Sequence, residues 1–416
     1  MRRVAPSVRL KEEIDAMLQG QSSVPDNPMR GFVQQLARYM LQVGLEAEAT
    51  AFLGREHYRR GDRGRVGWRN GYEGKQVASE AGPLQLAVPQ LRGTAERFTP
   101  VLPDRLGART AELEAQVRSM YVRGLSTRDV SALYQETVGT TLSKSAVSRV
   151  TQQLQQDFDQ WRRRDLSALP IVYLFLDGQY HAARQGTDEK EGVLSAYALL
   201  DDGRPVLLHL DLGPRESYDA WLSFLQDLTA RGLPDPLLVV MDGAPGLVKA
   251  VKRVWPHAGR QRCQVHKMRN ILAKLPRLMR AKMHGLVQQV FLAPTYELAL
   301  KRGRALIARF ADRYSTAMAC LEADLEECVT HLRFPEAHHR RIRTTNRLER
   351  LNGESRRRTK VIPRFPSERS CLTLLYATLI TASKQWRGVT MTPAIVKELG
   401  RLRAVFAPGT KEQAVA

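Results

Sequence analysis

Residues 171–212 read IVYLFLDGQYHAARQGTDEKEGVLSAYALLDDGRPVLLHLDL. The first run is strongly apolar and then alternates. A polar turn (185–192) leads into VLSAYALL (193–200), and a DDGR turn (201–204) leads into PVLLHLDL (205–212). An Asp-Gly turn between apolar runs is a hairpin signal. The stretch therefore predicts three antiparallel strands in a meander. A helix follows (216–233), then a short buried strand, PLLVVMD (236–242), then a helix opening on GAPGLVKAVKRV (243–254), then a short strand at GRQRC (259–263). The fourth strand is continuously apolar, which fits a central position covered on both faces.

The order β-β-β-α-β-α-β-α is that of a ribonuclease-H-like mixed sheet, so the expected fold class is α/β. In that sheet the first strand lies beside the fourth. Both carry Asp-Gly, in LFLDG at Asp177 and VVMDG at Asp242. Singly, each is a common strand-ending turn. As neighbours near the middle of one sheet, two carboxylates repel unless a cation lies between them. Hard oxygen donors of this kind suit Mg²⁺ or Mn²⁺.

A third ligand is expected from a later helix beginning near Thr345. Glu354 has Arg350, Arg357 and Arg358 at helical spacing and is served by surface ion pairs. Glu349 has Thr345, Asn346, Asn352 and Gly353 at those positions, with no basic partner on its face. The amides of Asn346 and Asn352 can orient a carboxylate or bind a phosphate oxygen, which makes Glu349 the candidate. The surrounding segment 340–364 holds ten Arg/Lys against two Glu. Arg356, Arg357, Arg358 and Lys360 are candidates for gripping a DNA backbone.

Working outward, residues 267–334 read as wholly helical, an insertion within the α/β domain spanning 161–266 and 335–386. Residues 1–58 are helical. Residues 59–75 (RRGDRGRVGWRNGYEGK) are basic, Gly-rich and aromatic, which fits either a solvated loop or a segment touching DNA through Trp68 and Tyr72. A β-hairpin around Gly82-Pro83 completes the region 59–105. Residues 123–154 have a helix-turn-helix layout within the region 106–160. A first helix (129–136) is capped by Ser126 or Thr127, and a second is capped by Ser143 and opens with Lys144, Ser145, Ser148 and Arg149. The stretch 387–416 shows no clear element.

The full chain of 416 residues carries 64 Lys+Arg against 43 Asp+Glu, a net charge of +21. That excess points to a polyanionic partner, and double-stranded DNA is the leading candidate. Apolar runs such as IVYLFL fall far short of the about 20 residues that span a bilayer, so no membrane role is expected. MRRVAPSVRLKEEIDAM has no apolar core of a secretory signal. Four cysteines are too few for a disulfide framework, and the expected location is the cytoplasm. Cys263 and His266 form a C-x-x-H pair, but a zinc site needs about four ligands. Cys320, Cys328 and His331 lack the usual spacing, so zinc is not expected, and Cys263 and His266 are read as support for the site.

Taken together, RNGYEGK (69–75), VPQLRG (88–93), MYVRGLSTRDVSALYQETVG (120–139), SKSAVS (143–148), LFLDG (174–178), RESYDAW (215–221), VVMDGAPGLVKAV (239–251), RCQVHKMRN (262–270) and TTNRLERLNGESRRR (344–358) run in one register. The chain resembles the Mutator-type DDE transposases of bacterial insertion sequences. The resemblance implies a ribonuclease-H-like catalytic domain with a helical insertion between Asp242 and Glu349. It also implies N-terminal modules recognising terminal inverted repeats, and a triad of Asp177, Asp242 and Glu349 holding two divalent metals for strand cleavage and 3′-OH transfer. Such enzymes hold two DNA ends, so a homodimer or larger assembly on DNA is expected. The rival readings are a structure-specific nuclease on the same fold and a domesticated, non-catalytic DNA-binding regulator. A lost triad residue would mark the second, and the triad here is intact.

Overall fold

The computed structural model describes residues 4–20, 28–56, 67–79, 81–102, 110–123, 125, 127–138, 142, 144–181, 191–213, 217–346, 353, 367–383 and 386–406. The chain divides into two compact units, residues 1–153 and 154–416.

In the first unit, helices α1 (Pro6–Leu18) and α2 (Pro28–Leu53) precede a hairpin of β1 (Trp68–Ser79) and β2 (Gly82–Arg92). The hairpin is longer than the sequence implied, because β1 already begins at Trp68, inside the Gly-rich basic segment. From Trp68 on, the strand keeps pairing with β2 through a bulge that shifts the register by one residue between Arg69 and Tyr72, where Gly71 adopts a φ of 91°. Glycine takes that conformation without strain, so it bends the strand without ending it.

Helix α2 covers the edge of β2. Gln34 Nε2 donates to Pro83 O (2.8 Å) and Arg38 Nε to Gln85 O (2.7 Å). Gln42 bonds both the N–H and the carbonyl of Ala87 (2.9 and 2.8 Å). Four helical residues rise about 6 Å and two strand residues about 6.6 Å, so an i, i+4, i+8 row keeps step with alternate strand carbonyls. An exposed edge is thereby closed to foreign strands. Helices α3 (Ala111–Val122), α4 (Thr127–Val138) and α5 (Lys144–Arg163) follow. Thr110 caps α3, its Oγ1 accepting from Leu113 N. Leu113, Val117, Val130, Tyr134, Leu142 and Val150 form a small core, and the Tyr134 hydroxyl reaches Ser79 O at 2.6 Å.

The second unit is built on a five-stranded mixed sheet of order β5-β4-β3-β6-β7. Strands β3 (Ile171–His181), β4 (Glu191–Leu200) and β5 (Pro205–Gly213) form the expected antiparallel meander. Strands β6 (Leu238–Met241) and β7 (Gly259–Arg262) add on in parallel. All four residues of β6 are buried, as its central place requires. Helices α6 (Tyr218–Ala230) and α7 (Pro245–Val254) supply Trp221, Phe224, Leu247 and Val251 to a core shared with Leu174, Leu176, Val239 and Met241.

After β7 come α8 (Gln264–Ala273), α9 (Arg277–Phe291), α10 (Tyr296–Phe310), α11 (Ser315–Glu322) and α12 (Leu325–Val329), with a 3₁₀ turn at Thr330–Arg333. They share a separate core of residues such as Ile271, Val287, Leu306, Met318 and Leu321. Helix α13 (Glu336–Ile342) brings His338 to Tyr173, whose hydroxyl lies 2.7 Å from His338 Nδ1.

Two elements have no counterpart in the sequence reading. Helix α14 (Glu368–Ser383) packs against β5, and helix α15 (Pro393–Phe406) lies within the stretch that showed no signal. Arg403 of α15 donates to Ile171 O, the start of β3, and Phe406 stacks on Phe334 at 6.2 Å.

Candidate active site

Strand β3 pairs in parallel with β6 through Leu174↔Val239, Phe175↔Val240 and Leu176↔Met241. Asp177 follows Leu176 on β3 and Asp242 follows Met241 just past the end of β6, so the backbone sets them side by side. Asp177 is buried, 5% exposed, opposite Ser195 of β4, whose hydroxyl donates to the Asp177 carbonyl at 3.0 Å. Asp242 lies one residue past the end of β6, and its Oδ1 accepts from Ala244 N at 2.9 Å. Gly243 turns the chain at a φ of 78°. A Cβ at Gly243 would collide with the Arg262 guanidinium, which packs directly on this turn. Asp-Gly at this position is thus a steric requirement as well as a turn preference.

The motif RCQVH closes the same edge. Cys263 N–H donates to Met241 O at 2.8 Å, the residue before Asp242. Thr345 donates to Cys263 Sγ through its backbone N–H (3.4 Å) and its hydroxyl (3.3 Å). Gln264 N–H donates to Arg343 O at 3.1 Å. Burial pushes the Cys263 thiol up, but hydrogen bonds involving His266 and Thr345 outweigh it and hold the thiol below its ordinary range. Residues 343–346 are therefore fastened beside Asp242 at the point where the segment carrying Glu349 begins. Asn346 is exposed. Glu349, Asn352, Arg356, Arg357, Arg358 and Lys360 lie outside the described residues.

The sequence reading missed the remaining members of this motif. Arg262 Nε lies 3.1 Å from Asp324 Oδ2, and Lys267 Nζ pairs with Asp324 Oδ1. The side chains of Arg262 and Lys267 are only 7% and 4% exposed. Burial lowers the Lys267 ammonium. Gln261 accepts from His331 N–H at 2.7 Å and donates to Cys328 O at 2.9 Å, and Gln264 donates to the same carbonyl. One short stretch thus fixes the helical segment to the strand edge that carries Asp242. Its signal was a run of polar residues in and just after the short buried strand β7, where polar side chains need partners.

Two oxygen donors side by side, one of them buried, fit a hard divalent cation. Among the described residues no group of three or more His, Cys, Asp and Glu is placed to hold a metal ion. Cys328 is wholly buried, and its thiol is pushed up to about 12 by that burial. Of the helix-turn-helix candidates, α5 begins at Lys144, and Ser148 and Arg149 are exposed on it. The side chains of Lys144 and Ser145 lie outside the described residues. Among those residues no helix is long and apolar enough to cross a membrane.

The transposase for insertion sequence element ISRM5 of Rhizobium meliloti (strain 1021) is 35% identical over 360 residues, 85% of this chain and 88% of that protein. The transposase for IS256 in transposon Tn4001 of Staphylococcus aureus is 31% identical over 382 residues, 90% of this chain and 94% of that protein. A solved structure, the Drosophila P element transposase strand transfer complex, covers 77% of this chain and 94% of its own at 12% identity. Its TM-score of 0.29 is too low to bear on the fold. The family described as "Transposase, Mutator family" matches residues 9–388, from α1 to beyond α14. Spanning both units and every motif quoted above, that match settles the family: the chain belongs to the Mutator family of transposases.

Proposed function

We propose that this chain is a DDE transposase that binds the terminal inverted repeats of an insertion sequence, cuts DNA strands and joins the resulting 3′-OH ends to new DNA. The observation that carries the reading is the placement of Asp177 and Asp242 one residue beyond the paired Leu176 and Met241, in a chain of this family. The sheet, with its three antiparallel and two parallel strands, is read as the ribonuclease-H-like catalytic sheet, and 267–334 as its helical insertion.

Asp177, Asp242 and Glu349 would hold Mg²⁺ or Mn²⁺, two per site. Bound there, the pair would activate the attacking oxygen and stabilise the leaving oxygen of an in-line displacement. The protein's own part is positional. The β3–β6 register fixes the two aspartates, and the Cys263–Thr345 bonds fix the start of the segment carrying Glu349. Asn346 and Asn352 orient that carboxylate, and Arg356, Arg357, Arg358 and Lys360 hold the phosphate backbone. Water is the first nucleophile and leaves a free 3′-OH, and that hydroxyl attacks a second phosphodiester. No protein–DNA covalent bond is required. Lys144, Ser145, Ser148 and Arg149 at the start of α5 meet the duplex, in the manner of a recognition helix. Two ends must be held together, so the working form is a homodimer or larger assembly on DNA.

The test is an assay with the full chain, labelled DNA carrying the element's own ends, and either Mg²⁺ or EDTA. Metal-dependent cleavage followed by joining supports the proposal. Cleavage without joining assigns a nuclease, and binding with no cleavage assigns a regulator.

A further inference from the structure

Beside the strand edge that carries Asp242 lies a cavity of about 640 Å³ whose lining has two distinct parts. Its apolar floor comes from Val265, Met268 and Leu272 of α8 and from Phe291 and Leu292 at the end of α9. Leu292 is 48% exposed, an apolar side chain left partly open to solvent. Its rim is cationic: Arg269, Arg340, Arg341 and Arg343 line it, and among the described residues no carboxylate does. Burial, and then the neighbouring Arg340, hold the Arg343 guanidinium below its usual range. An anion entering here would offset the repulsion between Arg340 and Arg343.

The lining chemistry matches one ligand class. An apolar floor can pack against the face of an extruded base, a contact that needs no base-specific donor. Arginines at the rim take a phosphate through charge-assisted hydrogen bonds. The amides of Gln288 and Asn346 stand in the wall and can meet base-edge donors or acceptors. The volume falls within the range of about 300–1,000 Å³ usual for small-ligand sites. Position adds a further constraint. Thr344 and Asn346 line the cavity on either side of Thr345, which is bonded to Cys263, and Cys263 is bonded to the residue before Asp242.

We propose that this cavity receives one unpaired nucleotide of the DNA strand being processed, its base over Val265, Met268, Leu272 and Leu292 and its phosphate between Arg340 and Arg343. The proposal rests on the reading of the neighbouring aspartates as a DNA-processing site. It adds that the strand is held at the cut with a nucleotide turned out of the duplex, at the unstacking cost such extrusion always carries.

The test measures binding of the full chain, in EDTA, to a fluorescein-labelled single-stranded 12-mer and to the blunt duplex of the same sequence. Leu292→Glu places a negative charge at the floor, and Arg340→Gln removes a rim cation from an exposed helix position. Leu278→Glu is the matched control, because Leu278 is 96% exposed on the same helix α9 and does not line the cavity. Single-strand affinity is expected to fall about tenfold in Leu292→Glu and in Arg340→Gln, as loss of one stacked base or one phosphate contact implies. Duplex affinity is expected to hold within about twofold, because a paired base cannot enter. Leu278→Glu should match the wild type on both. Unchanged single-strand affinity in Leu292→Glu overturns the proposal. Equal losses on both nucleic acids also overturn it, and assign the arginines to a general phosphate-binding face. Either result leaves the reading of Asp177 and Asp242 standing. A wild-type chain that binds neither nucleic acid overturns both.

Discussion

Thr345 and Cys263 are joined twice, through the Thr345 backbone N–H and through its hydroxyl, both donating to the Cys263 sulfur at 3.4 and 3.3 Å. Thr345 is fully buried. The pair ties the entry to the Glu349 segment to the strand end beside Asp242. Thr345→Val keeps the volume and removes one of the two donors. It is expected to lower strand cleavage by about tenfold while costing about 1 kcal/mol of stability, the net value of one hydrogen bond. Thr345→Ser, which restores the hydroxyl, should recover most of the cleavage. Cleavage rates and urea unfolding of the two variants check this. Equal rates for the Val and Ser variants would show that the bond positions nothing.

Asp324 pairs with two buried cations, Arg262 and Lys267. Removing its charge takes the paired carboxylate from both in a poorly solvated place. Asp324→Asn is expected to destabilise the chain by about 3 kcal/mol, typical of breaking a buried pair. Denaturant unfolding measures it. A change below about 0.5 kcal/mol, the range of ordinary surface substitutions, would mean that the cluster does not fasten the helical segment.

His331 supplies a pH dependence. Burial, with His339 and Arg343 nearby, lowers its pKa to about 3 from an ordinary value near 6.5. The unfolded chain binds a proton that the folded chain refuses, so stability is fully present above pH 6.5. It declines as pH falls from there towards 3. Between pH 7 and pH 5 the expected loss from this group is up to about 2 kcal/mol. Urea midpoints at the two pH values should differ less in His331→Gln than in the wild type. An identical difference would remove His331 as the cause.

We propose that Cys263, engaged by Thr345, and Cys328, whose thiol is pushed up to about 12, hold no zinc. Elemental analysis of purified protein should find zinc well below one per chain, with no change in Cys263→Ser. One zinc per chain, lost in that variant, would contradict this.

Much of the sheet was legible because strand and turn signals are local. The Asp-Gly at 201–204 marked a hairpin, and the unbroken apolar run at 236–241 marked a central strand. The pairing of Asp177 with Asp242 followed from strand order, with no contact needing to be guessed. Other features depend on tertiary partners that no window of sequence displays. The Gln34, Arg38 and Gln42 row looks like an ordinary polar helix face until β2 lies under it. The bulge at Gly71 let β1 start at Trp68, where glycine content argued for a loop. Helix α15 has a weak pattern of its own and is placed by Arg403 on Ile171 O and Phe406 on Phe334. Nothing in the sequence around Arg262 and Lys267 names their partner, and only the fold brings Asp324 to them.

The central claim is that Asp177 and Asp242 act together in DNA strand transfer. It is tested most directly by comparing the wild type with Asp177→Asn and Asp242→Asn, using DNA with the element's own ends in Mg²⁺. Both variants should bind that DNA within about twofold of the wild type, since neither aspartate contributes a phosphate-binding cation. Both should lose cleavage and joining by about a thousandfold or more, the several kcal/mol that metal-held charge stabilisation supplies. Near-normal strand transfer by either variant, with its DNA binding intact, would contradict the account.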